Sequence, residues 1–270
     1  WFSLFGAFSG FDTIEDCYQD MTRHIHALET GLSSDPPMNW RLSALDRFTL
    51  ISNSDCHSHW PWRIGREANV LELEQLTYME VVDTIRKKDP ERFKYTIETN
   101  PAYGKYHWTG HRNCNISLPP QEAEKYGNRC PVCGRKLTRG VDQRIEELAD
   151  RPADYVPKNP IGYKRLLPLS EIITAVLGVS YQGAKKVWSV YTPLVKKFGD
   201  EYNVLIDASK EEMSKIVNSR IAEAIIRVRE EKAKVIPGYD GVYGQLALFD
   251  KEQEDLAPKK PKQKSMADFM

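Results

Sequence analysis

Two pairs of metal-ligand residues dominate the middle of the chain. They are His111-x2-Cys114 and, after a fifteen-residue spacer, Cys130-Pro131-Val132-Cys133-Gly134. Each pair at this spacing forms a tight turn that aims two ligand atoms at one point. Together they offer three thiolates and one imidazole, a closed tetrahedral shell of the kind that holds structural zinc. Any fold of this segment must therefore bring the two turns face to face. Gly134 supplies the positive backbone dihedral that such a knuckle needs. His107, four residues before His111, is an alternative fourth ligand, and the symmetric spacing favours His111. Three reduced structural cysteines beside a passing histidine is the plainer alternative. A closed site contributes stability and leaves no position open for catalysis.

The chain has 270 residues and five cysteines. An odd number, three of them near histidines, fits reduced, metal-binding thiols and a cytoplasmic setting better than disulfides. Apolar residues make up 41%, ordinary for a globular protein. The length suits one large or two modest domains. No apolar stretch approaches membrane-spanning length and no secretory signal opens the chain, so no membrane partner is expected. Formal net charge is zero, so any contact with nucleic acid needs a local basic face. The apolar opening, Trp1-Phe2-Ser3-Leu4-Phe5-Gly6, leads us to read the chain as the C-terminal portion of a longer protein.

Residues 1–90 read as mixed α/β. Thr13 caps a helix carrying Ile14, Cys17, Met21, Ile25 and Leu28 on one face. A half-buried strand with Phe48, Leu50 and Ile51 follows, then a helix from Tyr78 to Lys88 that stops before Pro90. Residues 91–150 hold the alternating strand Phe93 to Glu98 and the cysteine cluster. Pro152, Pro157 and Pro160 mark a connector. Residues 151–249 read mostly as helices: Leu169 to Leu177, one or two over Tyr181 to Phe198 broken near Pro193, and a long one from Lys210 to Lys234. Pro237 to Gly241 is a turn before a final strand, Gln245 to Phe249. Residues 250–270 are polar, Lys/Pro-rich and expected to be disordered.

Catalytic chemistry has a candidate at Asp55-x-His57, where the strand ending at Ile51 leaves its sheet. Alternating Asp and His side chains there can enter one cleft, and they are ligand types that hydrolytic metal sites use. On spacing alone the same two residues could be merely solvated. Arg63 and Arg66 follow closely and could hold phosphates, or else pair with Glu67, Glu72 or Glu74. Lys185-Lys186 and Lys196-Lys197, interleaved with Tyr181, Trp188 and Tyr191, suit nucleic-acid contact, and a solvated helix face over an aromatic core explains them equally. At the end, Gln263-x2-Met266-x2-Phe269-Met270 puts Met266 and Phe269 on one side of a helical turn with Gln263 beside them. Such a plug can fold into an apolar pocket on binding. It resembles the peptide by which DNA-processing enzymes attach to the sliding clamp PCNA, except that Met270 stands where a second aromatic is usual.

Several ordered segments resemble the endonuclease Q family, archaeal DNA-repair nucleases built on a PHP (polymerase and histidinol phosphatase) domain. They include Glu29 to Pro36, Met38-Asn39-Trp40, Ser52 to Ser58, Gly65 to Asn69, Gly110 to Cys114, Cys130 to Gly134, Glu146 to Arg151 and Pro237 to Gly244. The resemblance implies an α/β fold: the C-terminal part of a PHP-type distorted β/α barrel in residues 1–90, a small zinc-binding domain in 91–150, a mainly helical, DNA-contacting domain in 151–249, and a disordered tail with the clamp peptide in 250–270. It implies a metal-dependent cut on the 5′ side of uracil, hypoxanthine, xanthine or an abasic site, by a monomer whose partners are DNA and PCNA. Asp55 and His57 correspond to the family's last D-x-H ligands for catalytic divalent metal (zinc, magnesium or manganese). Earlier ligand motifs would precede Trp1, so this chain alone is expected to be inactive. Asn53, Ser54 and the loop from Glu29 to Asp35 adjoin the corner and are candidates for a base pocket; turn capping is the alternative. Two other classes compete: a PHP phosphoesterase acting on a small phosphorylated metabolite, for which a zinc knuckle and clamp peptide have no use, and a non-catalytic module that binds DNA and clamp.

Overall fold

The computed structural model describes residues 3–249. Thr13 accepts a hydrogen bond from the Asp16 N–H and caps α1 (Ile14–Tyr18). The expectation of a single helix reaching Leu28 is corrected here. Gln19 takes a left-handed φ of 50°, which ends α1 and starts a tighter 3-10 turn over Gln19–His24. The chain then straightens into β1 (Ala27–Glu29). Cys17 and Met21 are exposed in consequence, while Ile14, Ile25 and Leu28 still pack on a core of Phe5, Leu42, Leu45, Phe48 and Ile145. Asp35 caps α2 (Pro36–Trp40), and β2 (Thr49–Ile51) runs parallel to β1 with Leu50 opposite Leu28.

After β2 come α3 (Pro61–Ile64), β3 (Ala68–Leu71), α4 (Tyr78–Lys87) and β4 (Phe93–Glu98). The hairpin β5 (Thr109–His111) and β6 (Ile116–Leu118) leads to α5 (Pro120–Lys125) and α6 (Val141–Leu148). Next is β7 (Gly162–Arg165), followed by α7 (Leu169–Leu177) and α8 (Lys185–Phe198). A π-helical turn over Asn203–Asp207 precedes α9 (Lys210–Ser214) and α10 (Ser219–Arg229). A final hairpin pairs β8 (Lys234–Ile236) with β9 (Gln245–Ala247).

Two helical expectations are refined. Pro193 lies inside α8 without breaking it. The segment from Lys210 divides into α9 and α10 because Asn218 turns out of the helix and accepts the Arg220 N–H as a new cap.

The architecture is α/β. Its central sheet has the order β3-β4-β7, with β4 antiparallel to β3 and parallel to β7. This sheet joins strands that lie on either side of residues 90 and 150. The largest core sits between it and the C-terminal helices, with Ile97, Leu169, Ile172, Ile173, Leu194, Met213, Ile221 and Ile225 almost wholly buried. The region around the cysteines has a much smaller core of Ile116, Ala123, Cys130 and Leu137. The 237–244 turn fastens it to the body: the Trp108 N–H donates to the Gly238 carbonyl at 2.9 Å, and Asp240 accepts from the Arg112 N–H at 2.7 Å and the Thr138 hydroxyl at 2.6 Å.

Gly110 permits this close approach. A Cβ there would stand 2.5 Å from both the Ile116 carbonyl oxygen and the Tyr239 ring. Gly110→Ala is therefore expected to destabilise the protein by about 1–3 kcal/mol, the usual range for overpacking, as read by the shift in denaturant midpoint. A midpoint equal to wild type would mean that the turn is not packed on this hairpin.

Candidate functional site

The corner after β2 is fixed before the chain reaches Asp55 and His57. Ser52 is fully buried. Its N–H donates to Asn69 Oδ1 at 2.9 Å, while Asn69 Nδ2 donates back to the Ser52 carbonyl at 2.8 Å. The Asn69 amide thus imitates a backbone peptide and continues the pairing from β2 to β3. The Ser52 hydroxyl donates to the Ile97 carbonyl on β4 at 2.8 Å. Arg66 closes the corner, its Nε and Nη2 donating to the Ser54 carbonyl at 3.0 and 2.7 Å.

From this anchored point the chain turns through Asp55, whose φ of 45° is left-handed. Asp55 Oδ1 and His57 Nε2 come to 3.4 Å, both strongly exposed. That separation lets one ion bridge them, since metal bonds of about 2.0–2.2 Å set neighbouring ligands roughly 3 Å apart. Among the described residues, no third His, Cys, Asp or Glu ligand joins this pair.

Beneath the corner, two carboxylates face each other. Ala68 pairs with Ile97, so Glu67 and Glu98 are the next residues in that antiparallel register. They are 2% and 0% exposed, and one oxygen of each, Glu67 Oε2 and Glu98 Oε1, has no hydrogen-bond partner. Desolvation, with the Glu98 charge second, pushes the Glu67 carboxyl up to about 8. Desolvation also raises Glu98, to about 7, against hydrogen bonds that include the Thr30 hydroxyl at 3.0 Å. Sequence reasoning missed this pair, because only strand register sets the two residues side by side.

The four expected zinc ligands do converge. The ligand atoms of His111, Cys114, Cys130 and Cys133 lie within 4.8 Å of one another, and His111 Nδ1 is 3.5 Å from Cys133 Sγ. A tetrahedron with bonds of about 2.0–2.3 Å has edges of roughly 3.5 Å, so the cage fits such an ion. Cys130 donates its N–H to the Arg135 carbonyl and accepts from the Gly134 N–H, and Gly134 takes the expected left-handed φ of 72°. Desolvation, then hydrogen bonding with Cys133 and Cys130, pushes the Cys114 thiol up to about 11. The Arg135 N–H draws Cys133 down. Thiols crowded this way ionise together only beside a cation. His107 stands apart from the cluster; burial holds it down at about 4.

The basic candidates lie on or beside two elements that touch, α3 and α8. Arg63 is exposed on α3, and its charge, with that of Arg66, acts on the half-buried Glu171 carboxyl. Glu72 pairs with Lys94 at 2.9 Å and not with either arginine. Lys185 and Lys186 open α8 and are exposed. Trp62 on α3 packs against Trp188 of α8 at 6.4 Å between ring centres, so the two elements that carry basic candidates are in contact. Sequence reasoning missed this junction, whose one local mark is the aromatic run Trp60-Pro61-Trp62. In the 29–35 loop, the Ser34 hydroxyl donates to the Thr30 carbonyl and Asp35 caps α2, while the Thr30 hydroxyl donates to Glu98 and Asp35 pairs with Arg165 at 2.6 Å across to β4 and β7. Gln263, Met266 and Phe269 lie outside the described residues. No helix among the described residues is long and apolar enough to cross a membrane.

Residues 168–232 match the MJ0043 C-terminal domain family. The chain is 34% identical over 263 residues to the uncharacterized protein MJ0043 of Methanocaldococcus jannaschii, covering 94% of this chain and 32% of that protein. It is 30% identical over 223 residues to the uncharacterized protein YqxK of Bacillus subtilis, covering 82% of this chain and 52% of that one. Among solved structures it resembles the lesion-specific endonuclease PfuEndoQ from Pyrococcus furiosus, with a TM-score of 0.82 and 33% identity over 93% of this chain and 64% of that chain. It also resembles Endonuclease Q in complex with a 27-mer duplex substrate with an abasic lesion at the active site, with a TM-score of 0.79 and the same identity and coverage. The chain thus spans less than two thirds of each of these relatives.

Two outcomes follow from this geometry. Cys130→Ala/Cys133→Ala is expected to lose bound metal, measured by elemental analysis of the purified protein; unchanged metal content would remove the cluster as a site. The second concerns pH. Glu67 holds its proton more tightly when folded than at the ordinary carboxyl value of 4.5. Its stabilisation is complete below that value and is lost as pH rises through about 8. Glu67→Gln should therefore melt roughly 2–4 °C higher than wild type at pH 9 and at the same temperature near pH 4. Identical melting at both pH values would show that the carboxylate ionises without cost.

Proposed function

We propose that this chain belongs to the endonuclease Q family and forms part of a metal-dependent DNA-repair endonuclease that cuts on the 5′ side of deaminated bases or abasic sites. The observation that carries this reading is the likeness, over 93% of the chain, to a lesion-specific endonuclease. In this reading the parallel strands β1 and β2 belong to a PHP-type distorted β/α barrel, and Asp55 and His57 leave the C-terminal end of β2, where such barrels place their chemistry.

Each residue of the corner then has a task. Asp55 and His57 would supply two ligands to a divalent cation (zinc, magnesium or manganese). When bound, such an ion lowers the pKa of a water and offsets the charge that builds on the phosphate. Arg66 holds the Ser54 carbonyl so that the ligand-bearing turn keeps its shape. Arg63 on α3 and Lys185 and Lys186 at the start of α8 are read as contacts to the phosphates of a duplex. A target nucleotide has to leave the stack to be cut, which costs least when it is damaged or mispaired. The His111, Cys114, Cys130 and Cys133 cage is read as a structural zinc site, and Gln263, Met266 and Phe269 as a tether to the clamp PCNA.

One observation favours a second reading for the 270-residue chain on its own. Only Asp55 and His57 converge at the corner among the described residues. Two ligands leave most of a hydrolytic metal's coordination shell to other groups, so the chain alone acts as a DNA-binding module that does not cut. The small-metabolite phosphoesterase reading gives neither the cysteine cage nor the basic residues a role.

An incision assay separates these readings. The full protein and the 270-residue chain are each given labelled duplexes carrying uracil, hypoxanthine or an abasic site, with manganese or magnesium. The full protein is expected to break the strand 5′ of the lesion and the chain alone to bind without cutting. Asp55→Asn should bring incision to background and leave DNA binding in place. Incision that survives Asp55→Asn would remove the metal assignment; no 5′ break in any duplex would remove the nuclease reading.

A further inference from the structure

A ladder of aromatic rings leads away from the Asp55–His57 corner. His59 stacks on Trp60 with ring centres 5.0 Å apart, and Trp60 stacks on Trp62 at 4.8 Å with planes only 11° apart. Trp62 then meets Tyr181 edge-on at 6.3 Å and Trp188 at 6.4 Å, and Trp188 meets Tyr191 at 4.7 Å. The inner rungs are core: Trp62 is 5% exposed and Tyr191 8%. The outer rungs are not. Trp60 is 37% and Tyr181 54% exposed, and His59 is exposed as well.

Packing alone does not require this arrangement. Trp62 already fills the core, so Trp60 and His59 add rings to the solvent side of a finished stack. Trp60 is also held rigid. It is the N-cap of α3, Pro61 fixes the next backbone dihedral, and the Trp62 ring backs its face. A flat, pre-ordered π surface that needs little further ordering is what a nucleobase stacks on, whichever base it is. The surroundings have the matching charge. Arg63 follows on α3, and Lys185 and Lys186 open the helix whose Trp188 touches Trp62. A protein partner would call for a broad apolar patch, and here two exposed rings, His59 and Trp60, are followed within three residues by Arg63.

We propose that the outer end of this ladder, His59 on Trp60, is a platform on which an unpaired base stacks beside the Asp55–His57 corner. The proposal rests on the DNA-repair reading and goes further by naming where an unstacked nucleotide of the strand is held. Arg63, Lys185 and Lys186 contact its phosphates, so the platform supplies preference for an unpaired base and the cations supply general affinity.

The test uses the 270-residue chain and two fluorescein-labelled duplexes of equal length, one fully paired and one with a single unpaired 2-aminopurine. Binding is followed by anisotropy and stacking by quenching of the 2-aminopurine. Wild type is expected to bind the unpaired duplex more tightly and to quench it. Trp60→Ala should weaken that complex about tenfold and abolish the quench, with little effect on the paired duplex. Trp60→Leu, which keeps apolar cover on Trp62, should behave like Ala, and Trp60→Phe should restore both signals. If Trp60→Leu binds and quenches as wild type does, the platform is wrong while the DNA reading stands. An equal loss on both duplexes, unrestored by Phe, also overturns it. Should wild type bind neither duplex, the DNA reading and this inference fall together.

Discussion

A side-chain seam, not a backbone ladder, joins the N-terminal strands to the rest of the molecule. β1 and β2 form their own two-stranded sheet, and β3, β4 and β7 form another. Between them stand the reciprocal Ser52–Asn69 pair, the Ser52 hydroxyl on Ile97, Thr30 on Glu98, and Arg165 on Asp35. These groups are largely withdrawn from water, so each must be satisfied within the protein or cost free energy. The Asp55–His57 corner is the direct product of this seam. Ser52 is its last buried residue, and Asp55 and His57 are the first side chains free to face a ligand.

The seam is polar where an apolar one would be simpler, and Glu67 and Glu98 show the cost. Two like charges opposite each other in a buried register disfavour ionisation of both. A protonated pair removes the repulsion but ties local stability to pH. The cysteine region answers the same problem differently. Its core of Ile116, Ala123, Cys130 and Leu137 is too small to hold a hairpin and two knuckles by burial alone. Ligands gathered within 4.8 Å let a metal ion do that work, and the Asp240 contacts fix the resulting unit to the body.

The segments that carry the endonuclease Q resemblance include these fastenings. Arg41 at the end of α2 makes a paired hydrogen bond to Glu146, the Ser43 N–H donates to Asp150, and Arg151 reaches Asp46 at 2.7 Å. That accounts for the Glu146 to Arg151 segment as the dock between α6 and the N-terminal unit. Pro237 to Gly244 similarly serves as the latch on the cysteine hairpin. Much of what makes the sequence recognisable is thus the joinery between its parts, with the reactive side chains set at one edge.

Local chemistry was legible in the amino-acid sequence. The two Cys/His pairs announce a closed metal cage through their spacing, Gly134 its turn, and the alternation from Phe93 to Glu98 a strand, because each signal lies within a few residues. The break at Gln19 was not legible, since a left-handed residue in a helical pattern leaves no compositional trace. Neither was the meeting of Glu67 with Glu98, nor of Trp62 with Trp188, which lie 31 and 126 positions apart in the chain. Periodicity tells which face of an element is apolar and says nothing about which distant element covers it. Only the tertiary structure set the register that opposes two acids, and only helix packing set α8 against α3 through Trp188 and Trp62.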